Sequence, residues 1–231
     1  MKTVFLRVFA MVGVAWLLYL AWWYAKTRRP TYPMGSTTLY EVAHNLEGKP
    51  EQCALSMVVA SPIWLAWGQE RIFYVHACDR YRPVAEIADG FEINDNEHTG
   101  LISDDAEVWF HPPRSGPLYI TQSAPYPYFV LATPKGGQYE FTNDIPETSH
   151  VELKQNGDTI TSYYTYVGDT AWADRGYPLA HGAKKIEAYQ DTRLGRARAT
   201  FYFVEGIGFV RMHYRFPNGR YAVFTLTALV R

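Results

Sequence analysis

The C-terminal end of the chain constrains its fold most tightly. Residues 199–204, 209–216 and 220–230 read as three strands joined by two turns, Glu205-Gly206-Ile207-Gly208 and Pro217-Asn218-Gly219. Asn-Gly supplies the positive φ angles that a hairpin turn needs. Side chains alternate across a strand, so Val210, Met212, Tyr214 and Phe216 point one way while Arg211, His213 and Arg215 point the other. In the next strand Ala222, Phe224, Leu226, Ala228 and Val230 share a face. A sheet with one apolar face must bury it against another layer or wrap it around a core.

Upstream, the same texture recurs. Residues 55–60, 71–77, 84–93, 107–110, 118–121, 128–132, 138–141, 151–154 and 159–167 are short runs rich in Val, Ile, Tyr and Phe, broken by Gly, Pro, Asn or Asp. The chain carries 18 Tyr, 12 Phe and 7 Trp, side chains that suit a pleated, half-buried surface better than a helix. The expectation is an all-β domain, mainly an antiparallel meander forming a curved sheet, half-barrel or sandwich. One exception is predicted: Leu39, Val42, Ala43 and Leu46 fall at helical spacing and suggest a short helix over 37–47.

The N-terminus is of another kind. Residues 8–25 carry no charge and are flanked by Lys2 and Arg7 on one side and Lys26, Arg28 and Arg29 on the other. At ~1.5 Å per residue such a run just crosses a bilayer core. Trp22, Trp23 and Tyr24 fit an interfacial aromatic belt. Ala25 suits a signal-peptidase cut, but Trp23 is bulky where a small residue belongs, so the reading is an uncleaved transmembrane anchor. The expected organisation is an anchor over 1–29, a Pro/Gly-bearing tether over 30–36 and a β-rich extracytoplasmic domain over 37–231. The flanking charges nearly balance and do not orient the anchor. The cysteines do: Cys53 and Cys78 are the 2 in the chain, and a pair in one domain suggests a disulfide and hence an oxidising compartment, the periplasm.

Composition removes some function classes. A formal net charge of -1 gives no electrostatic basis for binding nucleic acid. His76 and Cys78 share a strand face but lack further ligands at zinc spacing. The loop Asn94-Asp95-Asn96-Glu97-His98-Thr99-Gly100, with Asp104-Asp105 after it, is oxygen-rich but does not match a calcium-loop pattern and reads as a solvated turn. No G-x-S-x-G elbow or Gly-rich phosphate loop is present. No catalytic residue, metal or cofactor is therefore assigned.

Two stretches are candidates for binding. Residues 168–182 form a glycine-bounded loop carrying Trp172, Asp174, Arg175, Tyr177 and His181, a mix of flat aromatics and charges found in recognition surfaces. Around 111–128, Pro112, Pro113, Pro117, Pro125 and Pro127 guard sheet edges or shape crossings. The stripe Arg211, His213, Arg215 reads first as a solvated face and second as a contact for anionic lipid headgroups.

The segment Phe201-Tyr202-Phe203-Val204-Glu205-Gly206-Ile207-Gly208-Phe209-Val210-Arg211 resembles a hairpin of uncharacterised bacterial envelope β-sheet proteins, some of them similar to the half-barrels of lipoprotein carriers. That resemblance implies an envelope β-domain and assigns no catalytic residue. The expected function is a non-enzymatic, single-pass inner-membrane protein whose periplasmic domain binds a protein partner or an apolar ligand. The alternatives are a lipid- or lipoprotein-handling half-barrel and an envelope hydrolase. A carrier needs an open apolar cavity, whereas a protein-binding domain has a filled core.

Overall fold

The computed structural model describes residues 12–20, 31–64, 69–76, 78, 98–113, 116–144, 159–171, 182–192 and 195–230. Within them one 12-stranded sheet runs in the order β6-β5-β4-β3-β2-β1-β12-β11-β10-β9-β8-β7. The strands are β1 (Thr37–His44), β2 (Glu51–Trp64), β3 (Gln69–His76), β4 (His98–Ser103), β5 (Glu107–Phe110), β6 (Tyr128–Val130), β7 (Gln138–Asp144), β8 (Thr159–Ala171), β9 (Gly182–Thr192), β10 (Gly195–Val204), β11 (Gly208–Arg215) and β12 (Tyr221–Val230). Every neighbouring pair is antiparallel. Strands consecutive in sequence are neighbours throughout, except that β1 pairs with β12 and a seam separates β6 from β7. The domain is thus an up-and-down meander wound into a nearly closed barrel, in a single sheet, which removes the sandwich alternative.

Side chains close the seam where the backbone ladder does not. Tyr139 Oη donates to the Tyr128 carbonyl at 2.9 Å, and Tyr164 Oη donates to the Tyr126 carbonyl at 3.0 Å. The rings of Tyr128, Tyr139, Tyr164 and Phe141 stack, tilt or meet edge to face with centroids 5.0–5.5 Å apart. Burial and a phenolic partner go together here, because a buried hydroxyl without a hydrogen bond is costly.

The C-terminal strands follow the expected alternation as far as Leu226; beyond it Ala228 is half-buried and Val230 is exposed, where the pairing with β1 shifts register. Val210, Met212, Tyr214 and Phe216 are buried, as are Ala222, Phe224 and Leu226, whereas Arg215 is exposed. A bulge between Tyr202 and Phe203 leaves Phe209 and Val210 both inside. At the last turn Gly219 has φ +77°, but among the described residues none other than glycine has positive φ. Asn218 instead accepts the Arg220 N–H through its side chain at 3.1 Å, so only one of the two expected left-handed positions is used.

Two local expectations are corrected. The predicted helix over 37–47 is strand β1 through His44. Tyr40, Val42 and His44 alternate inward at period 2, and hydrogen-bonding partners flank them on β2 and β12. Residues 118–121 are not a strand but lie in a 3-10 helix, Gly116–Ser123, whose Leu118 caps the core. The runs 84–93 and 151–154 lie outside the described residues.

Of the anchor expected over 8–25, residues 12–20 are described. They are helical, and Val12, Val14, Trp16, Leu17 and Leu18 are 55–66% exposed. No helix among the described residues is long and apolar enough to cross a membrane. Downstream, Tyr32 is fully buried. Its hydroxyl accepts the Phe209 N–H at 2.7 Å, its own N–H donates to Ser103 Oγ at 3.2 Å, and its ring meets Phe110 edge to face. The chain entering the barrel is therefore pinned at the Gly208 end.

Cys53, on β2, and Cys78, just past β3, form a disulfide. It spans 25 residues of sequence, a loop for which chain entropy predicts about 3–4 kcal/mol of stabilisation.

Candidate binding surface on the outer face of the barrel

The interior of the barrel is occupied by its own side chains. Phe110 on β5 meets Phe209 on β11 at 5.6 Å, and Phe129 on β6 meets Phe203 on β10 at 5.3 Å. β5 and β11 stand half-way round the barrel from each other, so Phe110–Phe209 joins opposite walls, and Phe129–Phe203 spans the interior across the β6–β7 seam. Phe201, Tyr214, Phe224 and Tyr40 continue the edge-to-face chain. All of these side chains are at most 2% exposed. Rings packed at 5–6 Å centroid separation leave no acyl-sized space between them.

Among the described residues, the polar and charged side chains that line a cleft lie on the outside. A cleft of about 280 Å³ opens on the outer face of β8–β11, lined by Thr165, Glu187, Tyr189, Arg198, His213 and Arg215 among others. Strand register builds it. Glu140, Tyr163, Tyr189, Arg198, Arg215 and Tyr221 are successive cross-strand partners from β7 to β12, so they stand in one transverse row. The next row holds Thr165, Glu187, Thr200, His213 and Val223.

The aromatic half of the row is rigid yet exposed. Tyr163 and Tyr189 stack at 5.1 Å while remaining 41% and 36% exposed. The Arg196 guanidinium lies 4.4 Å over the Tyr189 ring and grips Asp191 through Nε and Nη2 at 2.8 and 2.9 Å. That two-pronged hydrogen bond holds the Asp191 carboxyl below the usual carboxylate range. Glu187 is engaged by Lys185 Nζ at 2.6 Å. Both carboxylates are thus committed to other cations. Among the described residues no carboxylate pairs with Arg198, Arg211 or Arg215. Burial, and then the charges of Arg215 and Arg211, push the His213 pKa down. Its Nε2 faces Arg215 Nε at 3.4 Å.

Trp172, Asp174, Arg175, Tyr177 and His181 lie outside the described residues. The ends they connect are described: Ala171 of β8 faces Gly182 of β9. Asp104 serves a turn, its Oδ1 accepting the N–H groups of Ala106 and Glu107 at 2.9 Å. Of the proline-rich stretch, His111 is locked by its neighbours: its carbonyl accepts from Tyr74 Oη at 2.6 Å, and its ring lies 4.7 Å from Tyr126. The side chain of His76 lies outside the described residues. A different histidine, His44, has one ring nitrogen within 4.8 Å of both cysteine sulfurs. Those sulfurs are bonded to each other and are not free thiolate ligands.

The transverse row escaped sequence reading because it is a property of register. The stripe Arg211, His213, Arg215 was legible from alternation, but its juxtaposition with Arg198 and Tyr189 requires β9 and β10 to be placed beside it.

No protein-family model and no curated protein matches the chain. Several solved structures are similar to it. A predicted exported protein with a YmcC-like fold from Bacteroides fragilis has a TM-score of 0.45 at 9% identity, covering 87% of this chain and 97% of that one. A β-barrel-like protein of a domain of unknown function from Brucella abortus scores 0.42 at 8% identity, covering 86% and 98%. The hypothetical lipoprotein YmcC of Escherichia coli scores 0.35 at 11% identity, covering 84% and 87%.

Proposed function

We propose that the chain is a single-pass inner-membrane protein of the bacterial envelope whose periplasmic barrel acts, without catalysis, as a binding module for another protein. The observation that carries this reading is the contact of opposite barrel walls through Phe110–Phe209, with Phe129–Phe203 spanning the interior beside it. A carrier of acyl chains needs an apolar cavity of a few hundred Å³, and those ring pairs occupy the space where it would lie. The uncharged run over residues 8–25, with its exposed apolar helix, supports the anchor. The Cys53–Cys78 bridge supports the oxidising side of the membrane.

Photo-cross-linking in intact cells tests this reading. A benzophenone side chain placed at Tyr189 should yield a protein adduct, whereas the same group at Phe201 should yield only cross-links within the chain. Lipid adducts from Phe201 would instead identify a carrier.

A further inference from the structure

We infer that the transverse row on β8–β12 is the docking surface and that its partner is an acidic segment of another protein. The inference rests on the protein-binding reading above and adds the chemistry of the partner. Arg198 and Arg215 are direct cross-strand partners on the exposed face. Like charges placed opposite each other repel, and no carboxylate among the described residues relieves them. Arg211 adds a third guanidinium four residues along β11 from Arg215, on the same side. This concentration of positive charge stands out in a chain whose formal net charge is -1. An incoming carboxylate would bridge the Arg198–Arg215 pair, where each guanidinium can present two N–H donors to it.

The same row supplies contact area. Tyr163 and Tyr189 present stacked, exposed rings, held in place by Arg196. Tyr and Arg are the residues enriched at protein interfaces and at their energetic centres. Position argues against the anchoring membrane as the occupant. The chain enters the barrel at the Tyr32–Gly208 end, and Arg215 is the opposite end of β11, roughly 23 Å away at ~3.3 Å per residue. The guanidinium pair therefore stands at the far end of the strand from the chain's entry point.

The test uses the full chain in neutral detergent micelles and a fluorescein-labelled deca-glutamate peptide read by fluorescence anisotropy. Inorganic phosphate and water-soluble dihexanoyl phosphatidylglycerol serve as competitors. Saturable binding is expected to weaken at least tenfold in R198E and R215E and to persist in R220E, which lies outside the row. It should fall with added salt and resist both competitors at millimolar concentration. The charge-reversed variants remove a repulsive pair, so a thermal unfolding midpoint equal to or above the parent's is expected to accompany the loss. Binding by R198E and R215E as tight as the parent's overturns the inference, as does displacement by phosphatidylglycerol, which would point to a lipid surface, or by phosphate, which would point to a small anion. No peptide binding at all overturns it while leaving the protein adduct from Tyr189 to stand or fall by itself.

Discussion

Gly208 shows how a single position carries two requirements. Its φ is +104°, and the space where a Cβ would stand is filled by the Tyr32 ring. Gly219 also has positive φ, but a Cβ there meets open space. Gly219→Ala should therefore cost about 1 kcal/mol, the backbone term alone. Gly208→Ala should cost about 2 kcal/mol or more, because Tyr32 must also leave its hydrogen bond to Phe209. Denaturant unfolding of the two variants measures the difference; equal losses would mean that Tyr32 does not pin the entering chain.

Glu70 makes a prediction of a different kind at the same scale. One of its carboxylate oxygens is buried without a partner, and burial raises its pKa from 4.5 to about 7. The folded state then holds this proton more tightly than the unfolded state, so the stability it contributes is complete below pH 4.5 and is lost as pH rises through about 7. Glu70→Gln removes that slope and should stabilise the protein above neutrality by about 1–3 kcal/mol, with little effect near pH 4. His44 acts in the opposite sense: burial lowers its pKa, so acidification favours the unfolded state through this group. Unfolding midpoints across pH 4–8 for the Glu70 variant and the parent separate the two, and parallel pH profiles would contradict the assignment to Glu70.

At the scale of elements, sequence pattern succeeded where the inward residues were large. The β10–β12 hairpins carry Phe201, Phe203, Met212, Tyr214 and Phe224 at period 2, and their faces were readable without a structure. Strand β9 was missed because its inward residues are Ala183, Ile186, Ala188 and Gln190. Small or polar residues give little hydrophobic contrast, although they fit a position facing a bulky neighbour such as Tyr164 on β8. In β1, the helical spacing of Leu39, Val42, Ala43 and Leu46 was outweighed by two flanking ladders, which local spacing cannot reveal. The 3-10 turn at Gly116–Ser123 is held by Thr121 Oγ1 donating to the Leu118 carbonyl and Ser123 Oγ to the Ile120 carbonyl, at 2.7 and 2.6 Å. Such local bonds compete with a strand.

For the whole molecule, the antiparallel all-β class was legible, and the closure was not. The barrel is completed by β1 pairing with β12, partners separated by most of the chain, and by tyrosines bridging the β6–β7 seam. Neither follows from local periodicity. The candidate surface shares this character: Tyr163, His213 and Arg215 lay on strands legible in the sequence, Tyr189 and Arg198 did not, and the row across β8–β12 exists only once register is set. A filled interior is the link between this architecture and a function exercised from outside. That claim makes Phe110 and Phe209, which meet from opposite walls, the decisive pair. A double-mutant cycle with F110A, F209A and the double variant measures their coupling directly. Direct ring contact predicts an interaction of about 1 kcal/mol or more in unfolding free energy. Additive losses, with no coupling, would mean that the walls stand apart around a cavity, and would contradict the account.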